Sequence, residues 1–218
     1  MRKHLAILLA FGALALAATP SWSSNDPAMD KDVLDIALKW EHIKFEENGA
    51  PNQFDDIDAL AKEAGALVQK YPGRVEPLIW QGITTSEEAG MASMLHAMGY
   101  AKAAKAILEQ ALAQDPAALS AGAPTSLGVL YYRVPGFPIG FGDKKKARAL
   151  LEEAVKLAPD GMDANYFYAD FLVTQEEYAA ARLVLKHALA LPVDPNRPLW
   201  DRHRRGVMRE LLAKAESN

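Results

Sequence analysis

Arg133 stands in the run YYRVPGFPIGFGD, Tyr131 to Asp143, among four aromatic residues, two prolines and three glycines. A guanidinium in such company can stack on ring faces, or it can clasp a carboxylate through its paired N–H donors. Glycine and proline supply turns, but turns give no reason for Tyr131, Tyr132, Phe137 and Phe141, whose rings lose contact energy in water. Either the rings fold back onto their own domain, or they form a surface that a ligand or partner covers. A second polar group lies in DGMDANYFYAD, which places Asn165, Tyr166 and Asp170 on one helix, with Asp163 as its expected cap after the Asp160-Gly161 turn. Asn165 serves either a bound molecule or a neighbouring helix pair, since buried amides find partners.

The same inventory offers nothing for catalysis. His42, His96, His187 and His203 are scattered, and no His-Glu or His-His pair has a metal-binding spacing. There is no cysteine nucleophile, and the serines lack the strand-turn-helix setting of a nucleophile elbow. Gly136, Gly140 and Gly142 follow no strand and precede no Lys-Ser/Thr, so they do not cradle phosphate. The adjacent acids Glu46-Glu47, Glu87-Glu88, Glu152-Glu153 and Glu176-Glu177 would diverge by about 100° on a helix, and they are expected to be solubilising. The sequence therefore points to a non-enzymatic protein with no catalytic residues, no metal and no cofactor.

Composition narrows the remaining classes. The chain has 218 residues, 50% of them hydrophobic, mostly Ala and Leu, which favours helices around a sizeable core. A net charge of −4 with interspersed signs leaves no basic face for nucleic acid. Arg2, Lys3 and His4 precede an apolar run from Leu5 to Ala18, then Pro20 and small residues, which is the layout of a secretory signal. Its 14 residues fall short of the roughly 20 that a spanning helix needs. The alternatives for cleavage are after Ala17 or after Ser23, and we take residues 1–23 as signal peptide and 24–218 as a single domain. With no cysteine, neither a disulfide nor a lipidated cleavage site is available. The expectation is a periplasmic protein, mildly acidic once Arg2 and Lys3 are removed, with no stable membrane span.

The elements that must position these residues repeat along the chain. Ala104, Leu108, Ala111 and Pro116 recur as Ala147, Leu151, Ala154 and Pro159, and the steps return at Ala181, Leu185, Ala188 and Pro192, with the last proline one residue early. Leu60, Ala64, Leu67 and Pro72 keep the spacing while exchanging large and small residues. Steps of four and three place the side chains on one helical stripe, small where a neighbour comes close and large where a knob fills a groove, and the proline ends the helix. Apolar-periodic segments precede each stripe, roughly over 30–47, 77–89, 124–132 and 163–173. The fold expected is all-α: about four helix pairs stacked as a solenoid with a C-terminal capping helix.

This spacing resembles the tetratricopeptide repeat. Ala169 preceding Ala181 by twelve residues, Leu127-Gly128 with Tyr131, and Trp80 with Gly82 look like that family's residues. Prolines 72, 116 and 159 lie 44 and 43 apart, against a family period of about 34, so two units carry roughly ten extra residues. The extras fall at TTSEEAGMASMLHAMG, residues 84–99, and at 134–142, both expected between the helices of a pair and on one edge of the solenoid. The segments EPLIWQGI, TSLGVLYYRVPGFPIGFGDKKKARALLEEAVKLAPDGMDANYFYADFL and RPLWDRHRRGVMRELLAK resemble the T-component family associated with TRAP transporters. That resemblance implies a binding partner of a periplasmic solute-binding protein, homo-oligomers, and an apolar channel or cleft for a small hydrophobic or carboxylate ligand. The candidate contact residues are then Trp80, Tyr131, Tyr132 and Arg133, Phe137 and Phe141, and Asn165, Tyr166 and Asp170. The alternatives are a stand-alone periplasmic small-molecule or lipid-binding protein, and an envelope-assembly scaffold. On the final helix, Arg202, His203, Arg204 and Arg205 point to different faces and are expected to be solvated, with Arg204 pairing weakly with Asp201.

Overall fold

A computed structural model describes residues 25–218; the signal segment expected at 1–23 lies outside the described residues, as does the first residue of the domain expected over 24–218. Asp26 opens the first helix by accepting the N–H groups of Ala28 and Met29 at 3.1 Å, and Pro27 takes the first position, where a missing N–H loses nothing. Helix α1 (Pro27–Glu41) runs into a π-helical turn, His42–Glu46. Then come α2 (Gln53–Lys70), α3 (Val75–Met91), α4 (Met94–Gln114), α5 (Ala118–Arg133), α6 (Lys144–Leu157), α7 (Met162–Thr174), α8 (Tyr178–Ala190) and α9 (Pro198–Glu216). The pairs are α1 with α2, α3 with α4, α5 with α6 and α7 with α8, with α9 laid against the last pair. Among the described residues no helix is long and apolar enough to cross a membrane.

The second helix of each pair follows the expected stripe. Ala104, Leu108 and Ala111 on α4, Ala147, Leu151 and Ala154 on α6, and Ala181, Leu185 and Ala188 on α8 are all fully buried, and Leu60 and Ala64 are buried on α2. Each helix stops just before its proline, whose ring restricts the preceding residue to extended geometry. The first helices answer with glycine where the stripe's leucine arrives. A Cβ on Gly82 would sit 2.6 Å from Leu108, and one on Gly128 would sit 2.6 Å from Leu151. The helices of a pair can therefore close only because those positions lack a side chain.

The two extra segments behave differently. Residues 84–99 are not an insertion between helices: α3 extends to Met91 and α4 begins at Met94, so most of the extra length is additional helix. Ala, Met, Leu and Glu are good helix formers, and Thr84 and Ser86 return their hydroxyls to carbonyls one turn back, Trp80 O at 2.9 Å and Ile83 O at 2.7 Å. The other segment is a true loop. It is pinched at its base by Gly142 N–H to Pro135 O at 2.9 Å and Asp143 N–H to Tyr131 O at 2.8 Å, and a Cβ on Gly142 would collide with the Val134 carbonyl oxygen. Asp143 caps α6 as expected, accepting the N–H groups of Lys145 and Lys146. The entry to α5 is strained: Leu119, Ser120 and Ala121 hold φ of 49°, 54° and 61°, each at a cost of about 1–2 kcal/mol.

The final helix corrects the sequence reading. Arg204 and Arg205 are buried, not solvated. Arg205 pairs with Asp201 at 2.8 Å and donates to the carbonyls of Leu189, Leu191 and Pro192, satisfying the open C-terminal end of α8 with a cation where the helix dipole favours one. Arg204 reaches Asp163 on α7 at 2.7 Å instead of Asp201. Asp163 is accordingly inside α7, whose cap position is Gly161.

The first helix meets the last. Glu41, 1% exposed in its side chain, binds Arg197 Nε at 2.5 Å and accepts the Trp200 backbone N–H at 3.2 Å. Arg197 lies over the rings of Trp80 and Trp200, Trp40 meets Trp80 edge-on at 6.0 Å, and Phe45 stacks on His203 at 4.6 Å. The row α1, α3, α5, α7, α9 thus returns to its start through aromatic contacts and one buried ion pair. Substituting the glycine of a pair tests the packing rule: Gly128→Val is expected to cost about 1–3 kcal/mol by overpacking Leu151, read as a lowered urea midpoint with unchanged slope.

Candidate functional site

The loop and the ends of α5 and α7 meet on the edge where the first helices finish. There Tyr132 donates its hydroxyl to Asp170 Oδ2 at 2.5 Å, and Arg133 Nη2 reaches the same oxygen at 2.5 Å. Arg133 also lies over the Tyr132 ring, 5.2 Å from its centre. Burial, then the Asp170 carboxylate, pushes the Tyr132 phenol far above its usual range, so it stays protonated and donates. The guanidinium is half fixed and half available: its side chain is 57% exposed although it is anchored to Asp170. Beside it is an open depression of about 350 Å³ lined by Tyr132, Arg133, Lys144, Thr174 and Gln175. Two cations and three neutral hydrogen-bonding side chains around an open hollow suit a carboxylate or an acidic peptide segment.

The structure sorts the nine sequence candidates into different environments. Tyr132, Arg133 and Asp170 come together in one hydrogen-bonded group. Tyr166 is a few residues away on α7, half-buried, covered by Arg204 at 4.3 Å from its ring centre and edge-on to Phe167 at 4.8 Å. Trp80 is buried under Arg197 and Trp40, and Tyr131 is buried against Phe141 at 5.6 Å, beneath the Lys105 and Lys146 ammonium groups. Asn165 is 2% exposed and gives its amide to the carbonyls of Pro159 and Gly161, locking the turn before α7. Phe137 stands 94% exposed in the loop. Lys144, Thr174 and Gln175 were not among the candidates. Lys144 directly follows the aromatic loop and was visible there, whereas Thr174 and Gln175 reach the hollow only because α7 ends beside α5.

Two stretches of the chain match known repeat models. A tetratricopeptide repeat model matches residues 139–201, and a second tetratricopeptide repeat model matches residues 90–117. These two stretches are similar to tetratricopeptide repeats. A crystal structure of a thermophilic TPR protein in Thermus thermophilus superposes with a TM-score of 0.55 at 16% identity, covering 81% of this chain and 91% of that one, a likeness of fold. A search of curated proteins gave no match. The repeat matches fall on α4 and on the stretch from the aromatic loop to the start of α9, so the hollow beside Arg133 is built largely by repeat helices.

A second open depression lies on the same edge, lined by Phe54, Met91, Ala92, Ser93, His96 and Tyr100. One turn before it, Glu88 departs from its reading as a solubilising residue: it is 5% exposed, while its neighbour Glu87 binds Lys44 at 2.6 Å. Burial, then the Asp58 carboxylate facing it from α2, pushes Glu88 up to about 7. The folded carboxyl thus holds its proton more tightly than the unfolded one. The associated stability is fully present below about pH 4.5 and is lost as pH rises through about 7. Glu88→Gln is expected to remove that slope and to be more stable than the parent by about 1–2 kcal/mol at pH 8, a value reduced for access of water. Urea midpoints of both proteins at pH 5 and pH 8 check it.

Proposed function

We propose that this protein is a periplasmic, non-catalytic adaptor that docks another protein at the edge carrying Tyr132, Arg133 and Asp170. The observation that carries the reading is the half-exposed Arg133, held in place by Asp170 and the Tyr132 ring while its remaining donors face an open hollow shared with Lys144. A pre-positioned guanidinium loses little entropy when it takes a second acceptor, which is how an interface anchor gains affinity. Tetratricopeptide repeats in general serve protein interaction, and the resemblance of the chain to the TRAP T-component family makes a periplasmic solute-binding protein the partner we infer. Its contact would present a carboxylate.

The stand-alone ligand-binding reading draws less support. Residues 84–99 are largely helical, and the inner aromatic residues are buried, with Trp40 edge-on to Trp80 and Arg197 lying over Trp80 and Trp200. A carboxylate-bearing small molecule remains compatible with the same hollow, passed from the docked partner. The test is calorimetric titration of the chain with the purified TRAP-type solute-binding protein of the same cell. Binding is expected, with Arg133→Ala weakening it roughly tenfold or more at unchanged helicity. No binding, or equal affinity in Arg133→Ala, would reject the reading.

A further inference from the structure

The same edge carries a feature that protein docking at Arg133 does not use. On α4, Leu95, Met98, Lys102 and Lys105 follow one another at steps of three, four and three, which is a single helical stripe. The aromatic loop lies on this stripe. The methyl end of Met98 meets the space over Gly140, and the Lys105 ammonium lies 5.8 Å from the Phe141 ring centre. The chain turns over 136–140, where Ile139 and Gly140 both donate their N–H groups to the Gly136 carbonyl, so Phe137 and Ile139 form the tip of the loop, while Leu95 lies one turn from Met98 on the stripe beneath it. These three are the most exposed large apolar side chains there: Leu95 at 86%, Phe137 at 94% and Ile139 at 73%.

Lysines border the group. Lys102 is exposed on α4, Lys145 and Lys146 are exposed at the start of α6, and Lys105 and Lys146 both lie over Tyr131 at the base of the loop. The acids at this edge are already engaged: Glu109 holds Lys105 at 2.6 Å, and Asp143 caps α6. A chain with net charge −4 therefore presents a local basic rim around apolar tips. We propose that this knob is a membrane-surface site, with Leu95, Phe137 and Ile139 inserting among the acyl chains and Lys102, Lys145 and Lys146 meeting anionic lipid headgroups. Separate side chains on a projecting loop suit a fluid bilayer, which fills the space between them, and the rim matches the sign of an anionic leaflet.

The test uses the protein purified from cells in its native processed form, floated with vesicles of phosphatidylcholine alone or with added phosphatidylglycerol. Flotation is expected only with phosphatidylglycerol present. Phe137→Ser and Ile139→Ser should each lower partitioning roughly tenfold, and Lys145→Gln with Lys146→Gln should lower it several-fold, as should raised salt. These side chains are exposed, so circular dichroism should show the fold retained. Absence of flotation by the parent, or equal flotation of the Phe137→Ser, Ile139→Ser double variant, would overturn the proposal. So would a dimer in solution that Phe137→Ser dissolves in the absence of lipid binding, because the occupant would then be a second copy of the chain.

Discussion

The ion pair between Glu41 and Arg197 is the contact on which the rest of the molecule depends. Burying a carboxylate costs several kcal/mol unless a partner compensates, and loss of one member of such a pair costs about 3–5 kcal/mol. Here the partner comes from the other end of the chain, and the Trp200 backbone N–H satisfies the second carboxylate oxygen. The π-helical turn after α1 assists by carrying Phe45 onto His203. A solenoid of stacked pairs ordinarily has two free ends and an open inner face. Joining the ends places Arg197 over Trp80 and Trp200, with Trp40 behind Trp80, so aromatic side chains that would line a groove in an open array form core instead.

That closure moves recognition to the edge. Inside, the rings are covered by Arg197 and neighbouring side chains, and the buried indole N–H groups of Trp40 and Trp200 and Arg197 Nη2 are without a hydrogen-bond partner among the described residues. The exposed polar groups with spare capacity gather where first helices end and second helices begin. Arg133, Lys144, Thr174 and Gln175 gather there, as do the second hollow beside Tyr100 and the exposed tips of the aromatic loop. One edge therefore offers a cationic hollow, built by the ends of α5 and α7 and the start of α6, and a basic-rimmed apolar knob, built by the aromatic loop and α4.

The helical stripes were legible because they are local: residues three and four apart share a face whatever the rest of the chain does, and every alanine and leucine predicted on α4, α6 and α8 is buried. The family resemblance to tetratricopeptide repeats came from the same spacing. Long-range partners were not legible. Glu41 and Arg197 are 156 positions apart, and nothing near either residue marks it for burial. Arg204 and Arg205 look solvated in RHRR because charge runs usually are, and only the arrival of the α8 carbonyls and of Asp163 shows otherwise. The proline spacing shows that the second pair is about ten residues longer than the usual repeat but not where the extra length goes. The Ala, Met, Leu and Glu content of 84–99 extends the helices instead of the turn between them. Of the candidate site, Tyr132, Arg133 and Asp170 were named from residue type, but Trp80, Tyr131 and Asn165 are engaged in packing, which residue type alone does not distinguish.

Native-state amide hydrogen exchange along the chain tests the closure most directly, because the ends of an open repeat array fray before its centre. The closed arrangement predicts that amides of Val33 to Trp40 on α1 and of Arg204 to Leu211 on α9 are protected as strongly as those at the centre of α5 and α6, and that Glu41→Ala lowers protection at both ends together. Weak protection of α1 or α9 in the parent protein, or loss confined to α1 in the variant, would contradict it.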